Sequence, residues 1–158
     1  MTDRENKKGW PLPVLILAGA IALAGPTVAQ DAEAILKQRE DLMKGQGAAT
    51  KKLVQMLKGE IPFDQASALE SAQSLEASAP KIPELFPEST AGMSEWALPV
   101  IWERHDEFVQ KAEALPPATV ELVAAVQDAS APADYAPAMQ AVGNACSGCH
   151  ETFRKPDN

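Results

Sequence analysis

The stretch Asn144–Lys155, NACSGCHETFRK, contains the motif C-x-x-C-H at Cys146, Cys149 and His150, close to the end of a 158-residue chain. These are the only two cysteines in the sequence, and there is only one other histidine. The motif is compatible with a redox-active disulfide, with part of a zinc site, or with the attachment point of a c-type haem. The residues around it distinguish between these three.

The surrounding residues predict a helix with one apolar face. Apolar residues and cysteines recur in steps of three and four, which is the spacing of one face of an α-helix. At about 100° per residue, both thiols and the imidazole point into the same sector of that helix. A covalently bound haem needs this arrangement, because two thiols add to its vinyl groups and a histidine ligates its iron. The predicted face consists of Tyr135, Met139, Val142, Cys146, Cys149 and Phe153.

The other two interpretations lack features that they require. A thioredoxin-like motif belongs to a βαβ unit, whereas the polarity pattern here is helical throughout. A zinc site needs a fourth ligand, and the remaining histidine, His105, lies in the charged run ERHDE. A disulfide between cysteines three residues apart would close a very small loop and stabilise the fold little. The motif therefore predicts one covalent haem c, attached through Cys146 and Cys149, with His150 as an axial ligand of the iron.

The first 29 residues have the organisation of a secretory signal peptide. Three basic residues precede an apolar run from Leu12 to Ala24, and small residues follow as far as Ala29. The apolar run is shorter than the roughly 20 residues of a membrane-spanning helix. We expect cleavage after Ala29, which would leave residues 30–158 as a periplasmic protein without a membrane anchor.

The expected mature chain is acidic. Residues 1–29 hold three of the 14 Lys and Arg residues and two of the 22 Asp and Glu residues, which leaves residues 30–158 with a net charge of −9. Such a surface disfavours nucleic acid and anionic lipid as partners. It favours redox partner proteins that are basic at the contact.

Residues 30–158 predict a single all-α domain, an antiparallel up-down four-helix bundle. Asp64 is a candidate N-cap for the second helix. Gly45 and Gly47 interrupt the apolar stripe of the first helix, which predicts either a kink or a close approach of another group. The expected helices cover about 31–58, 64–79, 99–127 with a kink or break at Pro116-Pro117, and 135–153.

The side chain on the other face of the iron decides what the haem does. Met139 shares a helix with the attachment motif and cannot readily reach that face. Met43 and Met56 are roughly 20 Å apart along one helix, so at most one of them can face the iron. The candidates beyond His150 are Met43, Met56, Met93, Met139 and His105.

The sequence resembles the class II cytochromes c, the cytochrome c′ family, over essentially all of residues 30–158. A haem motif at the extreme carboxyl end is the mark of this family. Within it, the chain is most similar to low-spin members whose iron is ligated by methionine and histidine. The stretches that carry the resemblance are KQREDLM at Lys37–Met43, PFDQA at Pro62–Ala66, LFPEST at Leu85–Thr90, ALPVIWERHDEF at Ala97–Phe108 and VGNACSGCHETFRK at Val142–Lys155.

The resemblance implies roles for individual residues. The motif would supply both thioethers and the proximal ligand of the iron. Met43, four residues after Arg39, takes the position that faces the distal side of the iron. Arg39 matches the family arginine that approaches a haem propionate, and Arg154 matches a basic residue near the proximal side. Without the resemblance, Arg39 would be interpreted as a solvated charge and Arg154 as a cation near a helix end.

These features predict a mono-haem cytochrome that transfers single electrons and is not an enzyme. Ligation by Met43 and His150 would stabilise ferrous haem and keep the coordination unchanged between oxidation states. The alternative is a five-coordinate protein that binds nitric oxide or carbon monoxide, with Met43 as a steric guard. A third hypothesis is a small accessory subunit of a larger periplasmic redox enzyme. A homodimer through the first two helices, as in many relatives, stays open.

Overall fold

The computed structural model describes residues 28–156, which form six α-helices and four short 3-10 turns. Residues 1–27 of the predicted signal peptide lie outside the described residues. Within 28–156, no helix is long and apolar enough to cross a membrane. The helices are α1 (Val28–Leu57), α2 (Gln65–Ser78), α3 (Val100–Glu103), α4 (His105–Ala112), α5 (Leu115–Gln127) and α6 (Ala136–Phe153), and the 3-10 turns are Ala79–Lys81, Pro83–Leu85, Glu88–Thr90 and Pro132–Tyr135.

The four long helices form the bundle. α2 packs against both α1 and α5, and α5 packs against α6. Their apolar faces meet in one core, and the predicted all-α four-helix bundle is confirmed. The side chains of this core that are almost completely buried include Leu53, Leu75, Leu122, Val126 and Val142.

The ends of the first two helices follow local signals. Gly59 follows α1 with a φ of +70°, a conformation that suits glycine and disfavours other residues. Asp64 caps α2 as predicted, because its carboxylate accepts a hydrogen bond of 2.7 Å from the backbone N of Ser67.

The third predicted helix differs most from the structure. It consists of the three segments α3, α4 and α5, with interruptions at Arg104 and at residues 113–114. The break predicted at Pro116-Pro117 is present but lies at residues 113–114, directly before the prolines, which belong to the first turn of α5. First-turn amides have no intrahelical acceptor, so the missing N–H of proline costs nothing there. These prolines therefore begin a helix.

One hydrogen bond joins the beginning of α6 to the end of α1. The hydroxyl of Tyr135 donates to the carbonyl O of Leu53 over 3.0 Å, and both residues are fully buried. Burial raises the pKa of Tyr135, which stays neutral as a donor. From this contact, α1 and α6 run towards a cavity that both helices line.

Candidate functional site

A cavity of about 600 Å³ lies beyond the Tyr135–Leu53 contact, between the middle of α1 and the last turns of α6. α1, α4, α6 and the segment 82–97 all contribute to its wall. Most of the wall is apolar, with Ile82, Phe86, Ile101, Phe108, Ala112, Leu115 and Phe153 among the lining residues. All six residues that the sequence predicted for the site also line it: Arg39, Met43, Cys146, Cys149, His150 and Arg154.

The attachment motif lies on the α6 wall. Cys146 and Cys149 are half-buried and form no disulfide, and His150 follows on the same helix. Burial raises the pKa of both thiols, although the positive charge of Lys111 opposes this shift at Cys149. The thiolate is the form that enters disulfide exchange. Protonated thiols at neutral pH therefore slow the closure of a disulfide and keep both sulfurs available.

Lys111 connects α4 to the motif, and the sequence did not indicate it. Its Nζ donates a hydrogen bond of 2.9 Å to the carbonyl O of Gly148, inside the C-x-x-C-H motif. Lys111 also lines the cavity. The two residues are 37 positions apart, so no local pattern could reveal this contact.

The residues after α6 are held against the segment 96–98. The N of Leu98 donates to the O of Phe153 over 3.1 Å, and the N of Lys155 donates to the O of Trp96 over 2.9 Å. Ala97 and Arg154 form an isolated antiparallel bridge between them. The Arg154 guanidinium carbon lies 5.3 Å from the centre of the Trp96 ring. This pairing places Arg154 at the cavity wall.

Arg39 is buried on α1, with 5% of its surface exposed. Its Nε and Nη2 donate to the carbonyl O of Leu85 over 2.8 and 2.6 Å, and Nη2 also donates to Oγ1 of Thr90 over 2.5 Å. The guanidinium carbon lies 3.9 Å from the centre of the Phe86 ring. Arg39 is therefore not the solvated charge that its position inside a helix would suggest.

The charge of Arg39 has no counterion in the described part of the chain. No carboxylate among residues 28–156 pairs with it, and its Nη1 is buried without a hydrogen-bond partner there. Burial lowers the pKa of Arg39 to about 10, so the group is still cationic at neutral pH. A buried cation with an unused donor is unfavourable unless an anion approaches it. The cavity wall therefore favours a ligand that carries a carboxylate or a similar group.

Among the candidate iron ligands beyond His150, only Met43 lines the cavity within the described residues. Met56 and Met139 belong to the core, at 3% and 5% exposure, and Met93 is 42% exposed. His105 is exposed at the beginning of α4.

α1 runs without a break through Gly45 and Gly47. Gly47 lies at the cavity wall, one turn beyond Met43. Both residues therefore belong to the face of α1 that a group in the cavity would contact.

These residues fit a covalently bound haem. α6 carries two protonated thiols and the imidazole of His150, and α1 carries the sulfur of Met43. The apolar lining suits the macrocycle, and the unpaired guanidinium suits a propionate. Within residues 28–156, no group of three or more His, Cys, Asp or Glu side chains could hold a metal ion directly.

The chain is similar to known proteins along most of its length. Residues 34–154 match the family model described as Cytochrome C′. A cytochrome c-554 of Cereibacter sphaeroides is 40% identical over 157 residues, covering 93% of this chain and 99% of that protein. A cytochrome c′ of Pararhodospirillum photometricum is 36% identical over 125 residues, covering 78% and 98%.

Solved structures agree with these relatives. Cytochrome c′ from Rhodobacter Spheriodes superimposes with a TM-score of 0.71 at 27% identity, covering 80% of this chain and 99% of that chain. A nitric oxide complex of a variant cytochrome c prime from Alcaligenes xylosoxidans has a TM-score of 0.69 at 27% identity, covering 79% and 97%.

Proposed function

The chain belongs to the cytochrome c′ family, whose members carry covalent haem c, and on this premise we propose that it is a periplasmic one-electron carrier with six-coordinate iron. Cys146 and Cys149 would hold the haem, and His150 and Met43 would ligate its iron. The observation that carries the proposal is that Met43 lines the cavity while Met56, Met93, Met139 and His105 do not. No catalytic role is proposed.

Bound haem supplies a centre that gains and loses one electron. The chain would hold that centre from two sides. On α6, the two thioether bonds and the imidazole would come from Cys146, Cys149 and His150, which span little more than one helical turn. Their relative positions therefore vary little. Lys111 limits movement of this turn further through its hydrogen bond to Gly148.

Met43 would approach from α1 as a neutral sulfur ligand. A histidine–methionine pair stabilises ferrous iron more than a pair that includes an anionic ligand does. The same pair can ligate the iron in both oxidation states. α1 is held on both sides of Met43, by the Arg39 hydrogen bonds one turn earlier and by the Tyr135–Leu53 bond further along. A ligand on a fixed helix keeps reorganisation small, which favours rapid electron transfer.

Optical spectra of the ferrous protein, recorded with and without carbon monoxide, test this proposal. Six-coordinate iron predicts a sharp low-spin α-band that carbon monoxide barely changes. Met43→Leu should give a high-spin protein that binds carbon monoxide at once. Met56→Leu is the matched control, because Met56 is a core residue of the same helix, and it should stay low-spin. A wild-type protein that is already high-spin and converts at once would overturn the proposal.

The second candidate function is the binding of a small gas by five-coordinate iron. Its support is the similar solved structure of a relative in complex with nitric oxide. The same cavity would serve, with Met43 restricting the space on the α1 side. The carbon monoxide experiment separates this candidate from electron transfer.

We also propose that residues 1–29 are a cleaved signal peptide and that 30–158 form the exported domain. The support is the order of basic, apolar and small residues before Gln30. The intact mass of protein purified from the periplasm should correspond to residues 30–158 plus one covalently bound haem. Material that retains residues 1–29 would contradict this.

Residues 30–158, with a net charge of −9, should associate with a basic redox partner, and the association should weaken as salt rises. Size-exclusion chromatography of the native protein separates three assemblies. These are a monomer, a homodimer through α1 and α2, and a complex with a larger redox enzyme.

A further inference from the structure

The segment 82–90 surrounds the guanidinium of Arg39 with acceptors and an aromatic face. Leu85 contributes its carbonyl, Phe86 its ring and Thr90 its hydroxyl. Trp102 fixes the shape of this segment, because its Nε1 lies 3.2 Å from the O of Phe86 and 3.1 Å from the O of Pro87. Trp102, on α3, thus fixes the position of the segment 82–90, which in turn holds the Arg39 cation.

Thr90 is the only side chain in the described residues that accepts a hydrogen bond from Arg39. It is completely buried, and its hydroxyl donates to the carbonyl O of Pro87 over 2.8 Å. Since the single hydroxyl proton is committed to Pro87, a lone pair is left for Nη2 of Arg39. The hydroxyl therefore has a defined direction, and this direction selects one orientation of the guanidinium.

We propose that Thr90 is a positioning residue, which holds the Arg39 cation at the cavity wall and thereby raises the reduction potential of the haem. Ferric haem carries one more positive charge than ferrous haem, so a nearby fixed cation destabilises the ferric form more. The inference rests on the family's covalent haem, but not on ligation of iron by Met43.

Removal of the hydroxyl would change where the cation lies. In Thr90→Val, Nη2 would keep only the carbonyl O of Leu85, and a buried charged donor would lose an acceptor. The guanidinium would then be held less firmly at the cavity wall and would turn towards water. Its mean distance from the haem would increase, and the potential would fall.

Thr119 offers a matched control within the same chain. It is also completely buried, and its hydroxyl donates to the carbonyl O three residues earlier, that of Pro116, over 2.7 Å. It neither lines the cavity nor accepts a hydrogen bond from Arg39. Thr119→Val therefore removes a buried threonine hydroxyl without changing any hydrogen bond of Arg39.

The experiment measures midpoint potentials of the haem-loaded variants by spectroelectrochemistry. Thr90→Val should shift the potential downward, whereas Thr90→Ser, which keeps the hydroxyl, and Thr119→Val should match the wild type. NMR should show Arg39 Nη2 protons that exchange slowly in the wild type and in Thr90→Ser but rapidly in Thr90→Val. An unchanged potential in Thr90→Val, or an equal shift in Thr119→Val, would overturn the inference.

A double variant tests whether Thr90 acts through Arg39. Arg39→Gln should lower the potential more than Thr90→Val does, and adding Thr90→Val to Arg39→Gln should lower it no further. Additive shifts would mean that Thr90 acts by another route. The optical spectra should keep the wild-type spin state throughout, so a failure of the proposed Met43 ligation would be visible separately.

Discussion

The two ends of α1 and α6 differ in what fills the space between the helices. At the packed end, around Leu53 and Tyr135, protein side chains complete the core and the Tyr135 hydroxyl has its acceptor. At the cavity end, about 600 Å³ is left without protein atoms, and the buried Nη1 of Arg39 has no partner among the described residues. The bundle thus supplies its own packing at one end and leaves room for the family's covalent haem at the other.

This difference assigns stability and function to separate parts of one fold. Substitutions at the packed end should change the free energy of unfolding and leave the haem spectrum alone. Substitutions at the cavity end should change the haem first.

The largest expected effect is at the cavity end, in Cys146→Ser combined with Cys149→Ser. No covalent haem should remain, because serine hydroxyls do not form thioethers. The intact mass after denaturation checks this. Ser147→Ala, an exposed position between the two cysteines, should keep the haem and serves as the control. Haem that stays covalently attached in the double variant would refute the assigned attachment.

At the packed end, Leu122→Ala should lower the free energy of unfolding by about 2–5 kcal/mol, since Leu122 is completely buried and truncation leaves a void. Urea unfolding followed by circular dichroism measures the change. Val120→Ala, on the same helix at 53% exposure, should stay within about 0.5 kcal/mol of the wild type. Equal effects of the two substitutions would argue against the described packing of α5.

A smaller effect is expected from Tyr135→Phe, which removes only the hydrogen bond to Leu53. We expect a loss of about 1 kcal/mol, measured by the same unfolding curves. Tyr135→Leu should cost more, because it also removes the ring that packs beside Phe63, with 6.3 Å between the ring centres. A changed haem spectrum in Tyr135→Phe would contradict the claim that substitutions at the packed end leave the haem unaffected.

The smallest effect concerns pH and the turn that leads into α6. Hydrogen bonds from the backbone N of Ala131 and Ser130 lower the pKa of Asp134 below its usual value. A depressed carboxyl pKa contributes stability that is present above the unfolded pKa and is lost as pH falls through the folded pKa. Asp134→Asn should therefore lose less stability than the wild type on acidification. Unfolding curves at a series of acidic pH values would show this, and parallel curves would exclude it.

Local patterns predicted α6 well and the region before it poorly. The steps of three and four from Tyr135 to Phe153 identified a face whose apolar members are buried and whose cysteines line the cavity. The break predicted at Pro116 and Pro117 lies at residues 113–114, and both prolines belong to the first turn of α5. A proline pair is compatible with a break inside a helix and with a first turn, so the pair alone did not fix the residue at which α5 begins.

The partners of Arg39 could not be predicted from the residues beside it. Leu85 and Thr90 lie 46 and 51 positions away. The family resemblance assigned Arg39 to a propionate but did not show how the guanidinium is held. Lys111 had no local signal at all, because its acceptor is a backbone carbonyl on another helix.

The sequence by itself determined the helical class, the C-x-x-C-H motif and the sector into which its three side chains point. These properties depend on neighbours within one or two helical turns, where periodicity and spacing are sufficient. Only the tertiary structure decided that Met43, among the candidate ligands, lines the cavity, and that Arg39 is buried there without a carboxylate. Those properties depend on how distant segments pack and on the volume that they leave between them.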